Sequence, residues 1–190
     1  MQATSRWPRS SNHQVGYLAT RHLLDLGHRD VACIRPASME LPSGQRVAGY
    51  LQALNEAGLQ PDPALMPQGN NRISGGEAAV GELLRCGRRF SAIFAANDAM
   101  AIGAMRALRD QGYRIPDDIS IVGVDDIVLA SYAEPPLTTV AQPKQDAGRM
   151  AVQYLRERIE GRYSGGPRDI LLETRLMVRS STASHMPRKD

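Results

Sequence analysis

Four stretches of this chain place hydrogen-bonding side chains around or after short apolar runs: Pro36 to Arg46, Gly69-Asn70-Asn71, Asn97-Asp98 and Asp125-Asp126. Carboxylates accept hydrogen bonds, a guanidinium donates them and amides do both. Such a set can grasp a small polar molecule rich in hydroxyls without transforming it. Catalysis is a poorer use of the same residues. Asp125 and Asp126 are adjacent, so in extended backbone their side chains diverge and make a weak acid/base pair. The sequence has no GxSxG, Walker phosphate loop, HExxH or dinucleotide fingerprint, and no enzyme, cofactor or metal is expected.

The elements that must position these groups are written in the apolar spacing. Ala92-Ile93-Phe94-Ala95-Ala96 reads as a buried strand that stops at Asn97, a residue suited to capping a helix. Ile102, Met105 and Leu108 then recur at helical spacing, and Gly112 closes that helix. Pro116-Asp117-Asp118 makes a turn into a second apolar run, Ile119 to Val124, which ends at Asp125-Asp126. A crossover of this length makes the two strands parallel, so Asn97 and Asp125 face the same way, past the carboxyl ends where ligands bind open sheets.

Upstream, Asn12 is expected to cap a helix with Val15, Leu18, Ala19, Leu23 and Leu26 inward, closed by Gly27. Val31 to Ile34 follows as a strand, then a helix with Val47, Leu51 and Leu54 inward, a strand near Leu65-Met66, and a helix over Ser74 to Cys86. Downstream come a rigid turn at Ala133 to Pro136, a strand over Leu137 to Val140, and a helix opened by Gln142-Pro143 with Met150, Ala151, Leu155 and Ile159 on one face. A loop from Gly161 to Pro167 leads to a last strand over Ile170 to Val178. Residues 1–11 and the tail from Ser180 to Asp190 lack periodicity and are expected to be loose. This alternation defines an α/β domain with a mostly parallel sheet.

At 190 residues the chain can build one good core or two small subdomains. Its 42% hydrophobic and 23% charged residues contain no apolar run approaching the roughly 20 residues of a membrane span, and its polar start lacks the apolar centre of a signal peptide. A cytoplasmic protein is expected. The net charge is +3 with 23 scattered basic residues, which forms no DNA-binding stripe. Cys33 and Cys86, without CxxC spacing, read as buried or idle thiols.

The string ANDAMAIGAMRALRDQGYRIPDDISIVGVDD, followed by PPLTTVAQP and GRMAVQYL, resembles the effector-binding domain of the lactose-repressor/galactose-repressor (LacI/GalR) family of bacterial transcription regulators. The likeness runs from about Asn12 to Thr182. It implies a periplasmic-binding-protein-like, three-layer α/β sandwich of two subdomains with the ligand in the cleft between them. On that reading residues 1–11 are a lead, 12–141 the C-terminal effector-binding subdomain, 142–168 a remnant of the N-terminal subdomain, 169–179 the last strand and 180–190 a tail. The helix-turn-helix of such regulators is absent from this chain, so operator DNA would be bound only through that missing domain, and a homodimer is implied.

The resemblance also implies ligand contacts. Arg46 of QRVAGY, Asn97 of AND, Asp125 of GVDD and Gln142 of TTVAQP fall on the family's effector-binding positions. Asn70 and Lys144 stand where many members carry an aromatic ring, and Ser11 where an aspartate is usual. Each position has a structural rival: Asn97 as a helix cap, Asp125 as a turn residue, Arg46 as a solvated first-turn residue, and Ile102, Met105 and Leu108 as core rather than dimer interface. The leading functional reading is the part of a transcription regulator that binds an effector, a sugar or similar small polar metabolite. The alternative is the solute-binding protein of a sugar transporter, which shares the two-subdomain cleft.

Overall fold

The computed structural model describes residues 9–40, 43–166 and 170–185. The chain runs β1 (Arg9–Ser10), α1 (Asn12–Asp25), β2 (Val31–Ile34), α2 (Gly44–Glu56), a 3-10 turn (Pro63–Leu65), α3 (Ile73–Arg85), β3 (Ala92–Ala95) and α4 (Asp98–Asp110). It continues through β4 (Ser120–Asp125), α5 (Val128–Tyr132), β5 (Thr138–Ala141), α6 (Lys144–Ile159), β6 (Leu171–Leu172) and β7 (Arg175–Met177). Strands β2 to β5 pair in parallel in chain order, and β7 closes the edge antiparallel to β5.

Alternation along the central strands explains the three layers. Val31, Cys33, Ala92, Phe94, Val122 and Val124 point to one face and pack with Val15, Ala19 and Leu23 of α1 and Val47, Tyr50 and Leu54 of α2. Ala32, Ile34, Ile93, Ala95 and Ile121 point to the other, against Ala79, Val80 and Leu83 of α3 and Met100, Met105 and Leu108 of α4. Each fully buried Val, Leu, Ile, Phe or Met among them contributes roughly 1.5–3 kcal/mol. Met105 and Leu108 are thus core residues, and Ile102 is half-buried beside them. Cys33 is buried in the sheet, and burial pushes its thiol pKa up. Helices α1 and α2 cross so closely that a Cβ on Gly16 would lie 1.9 Å from the Arg46 carbonyl oxygen. That crossing sets Arg46 beside the start of α1.

Several local expectations are corrected. Ser11, not Asn12, caps α1, its Oγ accepting from the Gln14 amide at 3.2 Å, which leaves the Asn12 side chain for other work. No ladder forms at Leu65-Met66. Pro63 and Pro67 have no N–H to give, so the segment is a 3-10 turn capped by Asp62, and pairing is limited to a bridge between Arg35 and Gln68. The strand expected over Ile170 to Val178 is two: β6 pairs with β1 in a separate parallel ladder, while β7 joins the main sheet.

The C-terminal segment through His185 is docked rather than loose. Ser181 is fully buried, its Oγ donating to the Ile121 carbonyl at 2.6 Å and accepting from the Thr138 amide at 2.8 Å, and His185 donates its backbone N–H to Leu26. The lead over 1–8 and the tail over 186–190 lie outside the described residues. Helix α6 buries none of its residues, and Val152, Leu155 and Ile159 are exposed. Its apolar face is therefore not packed on the sheet.

Candidate functional site

The parallel strands deliver their carboxyl ends to one rim, and the rim's geometry is set at the end of β4. Asp125 and Asp126 both adopt positive φ, 114° and 48°, a conformation uncommon outside glycine. The double reversal ends the strand and turns the chain into α5. Asp125 Oδ1 accepts from Gln142 Nε2 at 2.6 Å and lies 3.5 Å from both Arg46 Nη2 and Lys144 Nζ. Lys144 Nζ also donates to the Asp125 carbonyl at 3.0 Å.

Arg46 enters from the first turn of α2, where a cation opposes the helix dipole and needs compensation. Its guanidinium is spread over three partners from three elements. Nε donates to Asn12 Oδ1 at 2.9 Å, Nη1 to the Ala96 carbonyl, and Nη2 reaches Asp125. The residue is only 9% exposed. Burial pulls its pKa down, while the carboxylates of Asp125 and Asp98 pull it back, and the guanidinium stays charged.

Asn97 caps α4: its Oδ1 accepts from the Met100 amide at 2.8 Å, and its Nδ2 donates to the Asn71 carbonyl at 3.1 Å. Asn71, in the left-handed region with φ 64°, also accepts from the Ala37 amide through its own Oδ1. Asn70 lies on the same rim but is exposed and bonds locally, to the Arg72 amide and Ser74 Oγ. The structure thus brings Arg46, Asp125, Gln142 and Lys144 into one bonded cluster, sets Asn97 next to it through Ala96, and leaves the Asn70 side chain within its own turn.

Three residues here take roles that sequence reasoning did not assign them. Asn12 reads as a cap and turns out to hold Arg46. Asn71, rather than Asn70, ties the third rim segment to Asn97. The third is Asp98, fully buried behind the rim: Oδ1 accepts from Thr139 Oγ1 at 2.6 Å and Oδ2 from the Ile127 amide at 2.9 Å. Burial is the main cause that lifts its pKa to about 6, against the hydrogen bonds from Thr139 and Ile127. The available signal was Gly123, where a Cβ would stand 2.2 Å from Asp98 Oδ1. Among the described residues no group of three or more His, Cys, Asp or Glu could hold a metal ion, and no helix is long and apolar enough to cross a membrane.

The periplasmic binding protein-like domain matches residues 20–182. The chain is 40% identical over 150 residues to the HTH-type transcriptional repressor PurR of Vibrio atlanticus (strain LGP32), covering 79% of this chain and 45% of that protein. It superposes with a TM-score of 0.85 on a transcriptional regulator CelR–cellobiose complex, at 40% identity over 90% of this chain and 52% of that one. A LacI family regulator from Enterococcus faecium with bound ribose gives 0.84 at 31% identity, over 93% and 65%. The chain spans about half the length of the curated relatives it matches. These relatives are transcription regulators, so the transporter and enzyme readings give way. The chain belongs to the periplasmic binding protein-like domain family, among the effector-binding domains of LacI-family transcription regulators.

Proposed function

We propose that the rim is the effector site of a sugar-responsive repressor, with Arg46, Asn97, Asp125 and Gln142 as ligand contacts and Asn70 at its margin. One observation carries the reading. The Asp125 carboxylate, held by a strained turn and cornered by three donors on Oδ1, has no bonded partner for Oδ2 among the described residues. A carboxylate fixed this way is an acceptor for ligand hydroxyls, while the buried guanidinium of Arg46 donates to ligand oxygens. The two solved relatives hold sugars, cellobiose in one and ribose in the other, which supports a hydroxyl-rich ligand.

The same atoms offer a route to a switch. Gln142 and Lys144 lead into and open α6, the helix that does not pack on the body. In this proposal residues 12–141, closed by the last strand, form one subdomain and 142–168 belong to the other. A sugar engaging Asp125 exchanges with Gln142 and Lys144 and so changes the hold on α6. Signalling requires that the sugar bind two arrangements of the subdomains unequally. The intact regulator would work in the cytoplasm as a homodimer and meet operator DNA through a helix-turn-helix outside this chain.

The test is a thermal-shift series on the 190-residue chain with cellobiose, ribose and a panel of other sugars. A ligand at about 100 times its dissociation constant stabilises by about 2.7 kcal/mol, a rise of several degrees. The expected result is a rise for at least one sugar that vanishes in Asp125→Asn. A rise that survives unchanged in Asp125→Asn places the ligand elsewhere.

A further inference from the structure

We propose that Asp98 is a positioning residue for the effector site: its ionised carboxylate fixes the Asp125–Asp126 turn and thereby aims Asp125 at Arg46. The proposal rests on the rim being the binding site. Its geometry is a relay of hydrogen bonds across three elements. Asp98 opens α4 and receives the Thr139 hydroxyl proton from β5 on Oδ1 and the Ile127 N–H from the start of α5 on Oδ2. Because the Thr139 proton is committed to Asp98, the hydroxyl's lone pairs face the Asp126 N–H, which lies 3.4 Å away. The second residue of the positive-φ pair and the residue after it are thus pinned, through Thr139 and directly, to one buried acid. Gly123 supplies the space that acid needs.

Protonation breaks the relay by counting donors. A neutral acid presents one O–H. Turned toward Ile127 it opposes the amide N–H, and turned toward Thr139 it leaves the hydroxyl proton without an acceptor. Asp98→Asn has the same defect at every pH, since its amide nitrogen must face one of the same two donors.

The groups that face Asp98 divide cleanly. Asp125 and Asp126 on the β4–α5 turn disfavour its charge, and Arg46 on α2 favours it. Thr139 on β5 and the Ile127 amide stabilise the charge by donating to it. Burial outweighs them and sets the titration near 6 rather than at the ordinary 3.8. A carboxyl with a raised folded pKa adds stability that is complete below its unfolded value and lost as pH rises through 6. The fold as a whole therefore favours the protonated acid while the turn's hydrogen bonds need the ionised one, so turn geometry and global stability respond to pH in opposite directions.

The experiment is a pH titration of the 190-residue chain by NMR from pH 4.5 to 8, following the Asp98 carboxyl carbon and the Asp126 and Ile127 amides. Wild type, Asp98→Asn and Thr139→Ser are compared. The expected result is that both amides inflect with the Asp98 carboxyl near pH 6 in wild type and in Thr139→Ser, and stay near their low-pH positions throughout in Asp98→Asn. Amides that ignore the Asp98 titration, or an inflection that persists in Asp98→Asn, overturn the proposal. If Asp98→Asn does not fold, the wild-type co-titration decides alone. A parallel binding arm uses whichever sugar raises the melting temperature. A drop of about tenfold or more in its affinity in folded Asp98→Asn at pH 7.5 supports the proposal, and unchanged affinity overturns the link to the site. If no sugar binds wild type, the loss falls on the effector reading, and the amide titration still judges the relay.

Discussion

Replacing Arg46 with methionine removes the fork that joins α1, the end of β3 and the end of β4. The substitution keeps a long side chain in the space beside the crossing at Gly16, so the cost comes from polar groups rather than from a cavity. The Ala96 carbonyl loses a charged donor, and leaving such a group unpaired costs about 1–3 kcal/mol. Asp125 loses the most buried of its three donors but keeps Gln142 and Lys144, and it retains some exposure, so its loss is below the roughly 3–5 kcal/mol of a fully buried broken pair. Removing a cation from a helix start returns about 0.3–1 kcal/mol. The sum is a destabilisation of roughly 3 kcal/mol, a large share of the 5–15 kcal/mol typical of a domain. Urea denaturation followed by circular dichroism reads this as a midpoint lowered by about 1–2 M at unchanged slope. A midpoint shift worth less than about 0.5 kcal/mol, the range of an ordinary surface substitution, would refute the view that Arg46 is built into the rim.

Two further substitutions test the surroundings. Gly123→Ala drives a methyl to 2.2 Å from Asp98 Oδ1 and 3.0 Å from a Leu137 methyl, so overpacking is expected to cost about 1–3 kcal/mol, visible as a drop in melting temperature of several degrees. Ser181→Ala deletes a buried hydroxyl that serves both the Ile121 carbonyl and the Thr138 amide, with an expected loss of roughly 2 kcal/mol in urea and faster hydrogen exchange at Thr138.

The layered body was legible because its strands and helices each bury what their period says they should. Phe94 and Ile93 go to opposite faces of the sheet, and Val15, Ala19 and Leu23 recur on one face of α1. Features that act through backbone or polar groups left no such trace. Helix α5 is five residues long with only Ala130 buried, too short to show a period. The C-terminal segment docks through Ser181, Ala183 and the backbone of His185, whose polar composition reads as a loose tail. The separate β1–β6 ladder joins two-residue strands more than 150 residues apart, and so short a pairing carries no alternation to detect.

At the rim the limit of legibility is physical as well. Strand ends can be located from where an apolar run stops, so the neighbourhood of Asn97 and Asp125 follows from spacing, and Arg46, misplaced by charge at a helix start, signals that something must compensate it. What spacing cannot say is which of two adjacent polar residues turns inward. Asn70 and Asn71 are identical side chains, and only the left-handed backbone at Asn71 turns its carbonyl to Asn97 and its side chain to Ala37 while Asn70 closes its own turn. Asp98 and Asn97 pose the same problem. Both suit a helix start, yet one caps the helix and the other is buried behind it against Thr139, a partner 41 positions away. A glycine inside an apolar strand is the sequence's trace of such an arrangement. Gly123 weakens β4 intrinsically and is explained only by a neighbour that needs the room, which here is the carboxylate holding the site's own turn.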